Sequence, residues 1–217
     1  MPRAFTETEK ETIRSKLLEV GRSCFLRYGL KKTTIEDLTR PSGIAKASFY
    51  LFFESKEKLF IEVFLHELPA MMDRIMNASF GSTDDIREAL VLFMREVVHE
   101  METNEFSRMM LDDPRELQKS VSVLDFEEIL QQVAVFYQPI VQAIADAQAR
   151  GEIIPGDPFQ LVFALGLIKM YPLNRDNLPP QLYSNMLELA PEVIAAGLTS
   201  PALGAYAYAD KKDGTSS

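Results

Sequence analysis

The sequence predicts an all-α protein. Apolar residues recur at three- and four-residue spacing along most of its 217 positions, and capping boxes, glycines and prolines cut that pattern into helix-length pieces. No stretch alternates apolar and polar residues as a half-buried strand would, and no repeat of 20 to 50 residues is present.

The elements follow in order. Residues 1–7 read as an arm. Thr8 and Glu11 have capping-box spacing, and Ile13, Leu17, Val20, Gly21, Cys24, Phe25 and Tyr28 then fall on one face, which predicts a helix over 9–28 closed by Gly29. Thr34 and Asp37 form a second capping box, Ile35 and Leu38 supply an apolar side, and Pro41 is expected to end that helix after about two turns. Ser42-Gly43 is a turn, Ile44 plugs the gap behind it, and another short helix is expected over 45–52. Two short helices joined by a glycine-bearing turn make a helix-turn-helix, whose second helix enters the DNA major groove.

A longer helix is expected over 55–80, with Leu59, Phe60, Val63, Phe64, Leu68, Met71, Met72, Ile75 and Met76 on one broad face. Pro69 lies inside it and predicts a kink, which reads either as a packing adjustment or as a hinge. Further helices are expected over 84–103, 105–111, 124–150 (bent by Pro139 and closed by Gly151), 158–171 and 179–198, with 113–123 an irregular connection. The organisation expected is a DNA-binding domain over 1–54, a helical regulatory and dimerisation domain over 55–199, and a tail over 200–217.

The segment 9–62 resembles the TetR (tetracycline-repressor) family of bacterial transcription regulators. The likeness rests on Gly29, Thr34-Ile35, Gly43-Ile44, Lys46-Ala47-Ser48-Phe49-Tyr50 and the Phe53-x-Ser55-Lys56-Glu57-x-Leu59 run. Pro41 stands where that family usually continues its helix, Ala45 where a capping hydroxyl is common, and Phe52 where a polar ring is frequent. The resemblance implies a homodimer that binds a palindromic double-stranded operator and is released by a small-molecule inducer. It also implies that Thr34, Tyr50 and Lys56 meet phosphates and that Lys46 and Ser48 meet base edges, with Thr33 beside them. For Tyr50 the other reading is packing with an exposed hydroxyl; for Lys31 and Lys32, phosphate contact and plain solvation are both open.

The charge distribution agrees with a DNA partner. The chain carries a net charge of −9, yet residues 1–60 hold 12 Lys and Arg against 8 Asp and Glu, and the remainder holds 11 against 24. Affinity for DNA follows the local field and the phosphates neutralised, so a small basic segment outweighs a distant acidic body. No run of 18 uncharged apolar residues and no signal-peptide pattern occurs, so no membrane partner and a cytoplasmic location are expected. Cys24 is alone and lies on the apolar stripe of the first helix, where burial as a small hydrophobe is the expected role.

Two further clusters are candidates. The middle helices are rich in methionine and phenylalanine, and Met72, Met76, Phe93, Met94, Phe106, Met109 and Phe136 read either as core or, through the family likeness, as a pocket for an apolar inducer. His99, Glu100 and Glu105 are its possible polar anchors or else surface groups. Phe159, Val162, Phe163, Gly166 and Met170 share a face with Leu182, Met186, Leu189 and Val193 of the next helix, which reads as a four-helix dimer interface or as internal core. Only His66 and His99 are present, no glycine-rich phosphate loop occurs, and the carboxylates are scattered, so neither an enzyme nor a cofactor or metal is expected. An all-helical protein interaction module that retains the DNA-binding fold without an inducer is the alternative.

Overall fold

The structure, a computed structural model, describes residues 5–112, 131 and 134–200, apart from the side chains of Met110 and Asp112. Among these residues every regular element is helical. The chain forms two compact units, one of residues 1–69 and 105–133, the other of 70–104 and 134–217.

In the first unit, helix α1 spans Glu7–Lys32. It starts earlier than expected because the capping box is Thr6 with Glu9: the Glu9 amide donates to the Thr6 hydroxyl at 3.3 Å and the Thr6 amide to the Glu9 carboxylate at 2.7 Å. Gly29, at φ 74°, kinks the helix, and one more turn follows before Thr33. Helix α2, Ile35–Ser42, keeps its predicted Thr34–Asp37 box but runs through Pro41. The helix ends instead at Gly43, whose φ of 73° permits a Schellman closure: Gly43 N–H donates to the Arg40 carbonyl and Ile44 N–H to that of Thr39, both at 3.2 Å. A proline in the last turn sacrifices only one ladder bond, which is why the stop comes two residues late.

The following element is a 3₁₀ helix, Lys46–Leu51, rather than the expected α-helix. Ala45 has no side-chain oxygen with which to cap, and the segment is tightened by i to i+3 bonds from Ser48 N–H to Ala45 and from Phe52 N–H to Phe49, each 2.9 Å. Helix α3, Lys56–Ala78, continues through Pro69. Its first half gives Leu59, Phe60 and Val63 to the core of this unit, where they join Leu17, Phe25, Leu38 and Phe49. Helix α5, Glu105–Asp112, adds Phe106, whose ring stacks on Phe60 at 5.1 Å and on Phe64 at 6.3 Å.

The second unit is built on α4, Ile86–Thr103, capped by Asp85. Of the predicted 124–150 helix, residues 124–130, 132 and 133 lie outside the described residues; the rest is interrupted by a turn at Tyr137, after which a separate helix α6, Gln138–Ala149, carries Pro139 in its first turn. Proline is tolerated there because first-turn amides have no helical partner, so the residue starts a helix instead of bending one. Helix α7, Pro158–Leu165, is capped by Asp157 as expected, but the chain then tightens into 3₁₀ geometry over Gly166–Lys169 and one turn over Met170–Leu173. Helix α8, Pro180–Leu198, packs along α4. Met72, Ile75, Leu90, Phe93, Met94, Ile140, Ile144, Val162 and Leu165 form the buried core. No described helix is long and apolar enough to cross a membrane.

Phe106 is 1 % exposed between two stacked rings, so Phe106→Ala is expected to lower stability by about 3–5 kcal/mol, read by urea unfolding. A loss below about 1 kcal/mol would show that this aromatic stack does not hold the first unit together.

Candidate nucleic-acid interface

The helix-turn-helix is held from behind by apolar packing. Phe49 is fully buried against Phe53, with ring centroids 5.9 Å apart, and Leu38 is fully buried below it. Burying Phe49 turns the opposite side of the 3₁₀ helix outward. Lys46, Ala47, Tyr50 and Leu51 are exposed there, Tyr50 by 57 % and Leu51 by 72 %, while Ser48 is half-buried. Lys46 and Tyr50 thus face solvent on the 3₁₀ helix, and Ser48 does so only in part.

Two predicted contacts are placed differently. Thr33 is 1 % exposed, and its hydroxyl donates to the Gly29 carbonyl at 2.8 Å and to that of Cys24 at 3.3 Å. It closes the end of α1. Lys56 is also engaged: its ammonium donates to the carbonyls of Leu30, Lys31 and Thr33 at 2.8, 3.0 and 2.9 Å. An ammonium has three hydrogens, and all three are used on the negative end of α1. Thr34, by contrast, is exposed beside Asp37.

The Thr34 hydroxyl donates to the Asp37 carboxylate at 2.7 Å, and with the Thr34 amide it holds that carboxyl below the usual carboxylate range. A depressed value means the box contributes stability above the ordinary carboxylate pKa and loses it as pH falls through the lowered one. Cys24 is half-buried, and burial first, then the nearby Asp37, pushes its thiol up, so it stays protonated at neutral pH.

Arg14 fixes the far end of the recognition element. Its guanidinium donates to the Phe52 carbonyl at 3.1 Å, pairs with Glu62 of α3 and lies over the Phe53 ring at 4.6 Å. Sequence reading missed this residue and also Glu36, whose carboxylate lies 3.5 Å from the Lys46 ammonium. The signal for the second was the turn itself, which brings residues ten apart to the same side.

The candidate pocket residues fall in both units. Met72, Phe93 and Met94 are in the buried core of the second unit, with Met76 packed against it, whereas Phe106 and Met109 belong to the core of the first. Phe136 is half-buried, His99 and Glu105 are exposed, and Glu100 is buried and gripped by Arg74 through bonds of 2.6 and 2.7 Å. Of the candidate pairing residues, Val162 is a core residue at 3 % exposure, and Phe159, Gly166 and Met186 are half-buried. Phe163, Met170, Leu182, Leu189 and Val193 stand out into solvent, each 45 to 59 % exposed.

Residues 17–63 match the model of the bacterial regulatory proteins of the tetR family. Over 159 residues the chain is 25 % identical to the HTH-type transcriptional regulator YhgD of Bacillus subtilis, covering 71 % of this chain and 78 % of that protein. It is 26 % identical over 123 residues to the HTH-type transcriptional repressor KstR2 of Rhodococcus jostii, covering 49 % and 60 %. A crystal structure of a TetR-family transcriptional regulator from Pectobacterium atrosepticum superposes with a TM-score of 0.66 at 19 % identity, over 90 % of this chain and 98 % of that one, a likeness of fold.

Lys56→Met removes three bonds to helix-end carbonyls and is expected to cost about 1.5–3 kcal/mol of stability in thermal or urea unfolding. The salt dependence of DNA binding by the folded variant should keep its slope. A slope flatter by about 0.9 would return Lys56 to the phosphates.

Proposed function

The chain belongs to the TetR family of bacterial transcriptional regulators, and from that premise we propose that it is a repressor that binds a palindromic operator as a homodimer and is released by a small apolar molecule. The observation that carries the DNA reading is the solvent-facing side of the 3₁₀ helix, with Lys46 and Tyr50 outward over the buried Phe49. Tyr50 and Thr34 reach phosphates, and Lys46 and Ser48 reach base edges; phosphate contacts place the element and base contacts choose the sequence. The repressor assignment draws on the likeness to KstR2, which is named as one.

Pairing is supported by the exposed apolar residues of α7, the segment after it, and α8. Phe163, Leu167, Met170, Leu182, Leu189 and Val193 leave six large apolar side chains in water, more than scattered surface positions explain. A two-fold pair doubles the contact, with half-sites roughly 34 Å apart. The inducer reading rests on Met72, Met76, Phe93, Met94 and Phe136, all in the second unit, since Phe106 and Met109 serve the other core. Soft and aromatic side chains suit an apolar guest. A hundredfold loss of operator affinity on induction requires a coupling of about 2.7 kcal/mol.

Selection of duplexes from a random pool by the purified protein tests the reading and should return an inverted repeat. Recovery of no duplex above background would favour the interaction-module alternative. Because Leu189 and Val193 are exposed by 57 % and 59 %, Leu189→Glu with Val193→Glu should leave the fold intact while sedimentation shows a monomer whose operator affinity is at least about tenfold weaker. A double variant that still sediments as a dimer would move the pairing surface elsewhere.

A further inference from the structure

We infer that Glu36 is a specificity-determining residue for DNA, acting through Lys46, which it steers toward neutral base edges and away from phosphates. The inference rests on the DNA-binding reading above. Glu36 lies in the first turn of α2 and Lys46 opens the 3₁₀ helix, so their side chains meet across the turn, with the Glu36 carboxylate 3.5 Å from the Lys46 ammonium. Both side chains are 60 % exposed, so the pair is solvated and its partners are exchangeable.

The chemistry of an ammonium makes the choice of partner matter. Lysine is a flexible point charge with three donors, and left alone it binds any phosphate that comes near. A carboxylate held beside it changes the two alternatives unequally. Guanine O6 and N7 are neutral acceptors, so Lys46 can give them two donors while the third stays with Glu36, and no like charges are brought together. A phosphate is an anion. Placing one on Lys46 brings it up against the Glu36 carboxylate, which either repels it or surrenders its own partner. Non-specific binding is built almost wholly from phosphate contacts, so Glu36 burdens non-specific complexes more than specific ones.

Other charges on this face do not offer the same device. Asp37 is occupied by the Thr34 cap, and Lys56 by the end of α1. The exposed Arg40 is on the last turn of α2, where its charge acts on the Asp37 carboxylate. Lys46 is therefore the cation of the recognition element, and Glu36 the group that shares it.

The test compares wild type with Glu36→Gln, which preserves shape and removes charge, in the full chain. The probes are the duplex that wild type selects from a random pool and a scrambled duplex of the same length and composition. The variant should bind the scrambled duplex up to about fivefold more tightly, with a salt slope steeper by about 0.9, while affinity for the selected duplex rises less, so that the specificity ratio falls. In a Lys46→Met background the substitution should no longer change the ratio. Equal gains on both duplexes, an unchanged ratio, or a ratio that falls equally in the Lys46→Met background would each overturn the inference, since a general loss of negative charge accounts for them. Failure of wild type to select any duplex would instead remove the DNA reading itself.

Discussion

Three backbone carbonyls at the end of α1 converge on the ammonium of Lys56, and the geometry of the DNA-binding unit depends on that convergence. Gly29 kinks α1 near its end, so the last turn leaves carbonyls without helical donors. Lys56, at the start of α3, supplies the donors and pins the start of one helix to the end of another. Between these two points the chain has only 23 residues in which to build α2, the turn and the recognition element. Arg14 closes the other side by holding the Phe52 carbonyl and Glu62. The recognition element, a 3₁₀ turn with no side-chain cap, is thereby fixed at both flanks by cations that neutralise backbone dipoles.

The parts legible in the sequence were those set by local chemistry. The Thr34–Asp37 box, the left-handed closures at Gly43 and Gly151 and the Asp157 cap each need only neighbouring residues, and each is present. Tertiary contacts decided the rest. Thr33 and Lys56 look like DNA contacts in a one-dimensional reading because both are polar and adjacent to the right motif. Their partners are the carbonyls of a kinked turn, which no spacing rule reveals. Phe106 and Met109 follow the same logic: a methionine and aromatic stripe tells that a face is buried but not in which core, and α5 packs on α1.

The second unit shows how an exposed apolar face can coexist with a complete core. Val162, Leu165 and Ile168 point inward, while Phe163, Leu167 and Met170 point outward: the step between like-facing side chains is three or four residues, and it is three from Leu165 to Ile168 and from Leu167 to Met170, where the chain tightens to 3₁₀ geometry. Arg87 and Arg95 of α4 lie 3.6 and 3.7 Å from Glu192 beside the exposed Val193. Such exposed pairs contribute little to stability, yet charge at the edge of an apolar patch limits which surfaces can meet it. The acidic balance of residues 61–217 would, on the DNA-binding reading proposed above, disfavour contact of this part of the chain with a duplex.

Pro41 illustrates how a departure from a family pattern is absorbed. A proline at this position has no N–H, so the Asp37 carbonyl four residues earlier loses its helical donor. Cys24 of α1 faces that carbonyl, with its sulfur 3.7 Å away and its hydrogen as the replacement donor. Only a thiol can donate; a thiolate cannot. Burial and the neighbouring Asp37 both raise the Cys24 pKa, so the group is held in the donating form at neutral pH. The same shift makes the sulfur a poor nucleophile, and the single cysteine of the chain is thus fitted to completing α2 rather than to redox chemistry. Lys56 and Cys24 therefore do one job at two scales: Lys56 donates to three carbonyls at a kinked helix end and Cys24 to the one a proline has orphaned, and the helix-turn-helix keeps its form because these carbonyls lie within reach of α3 or α1.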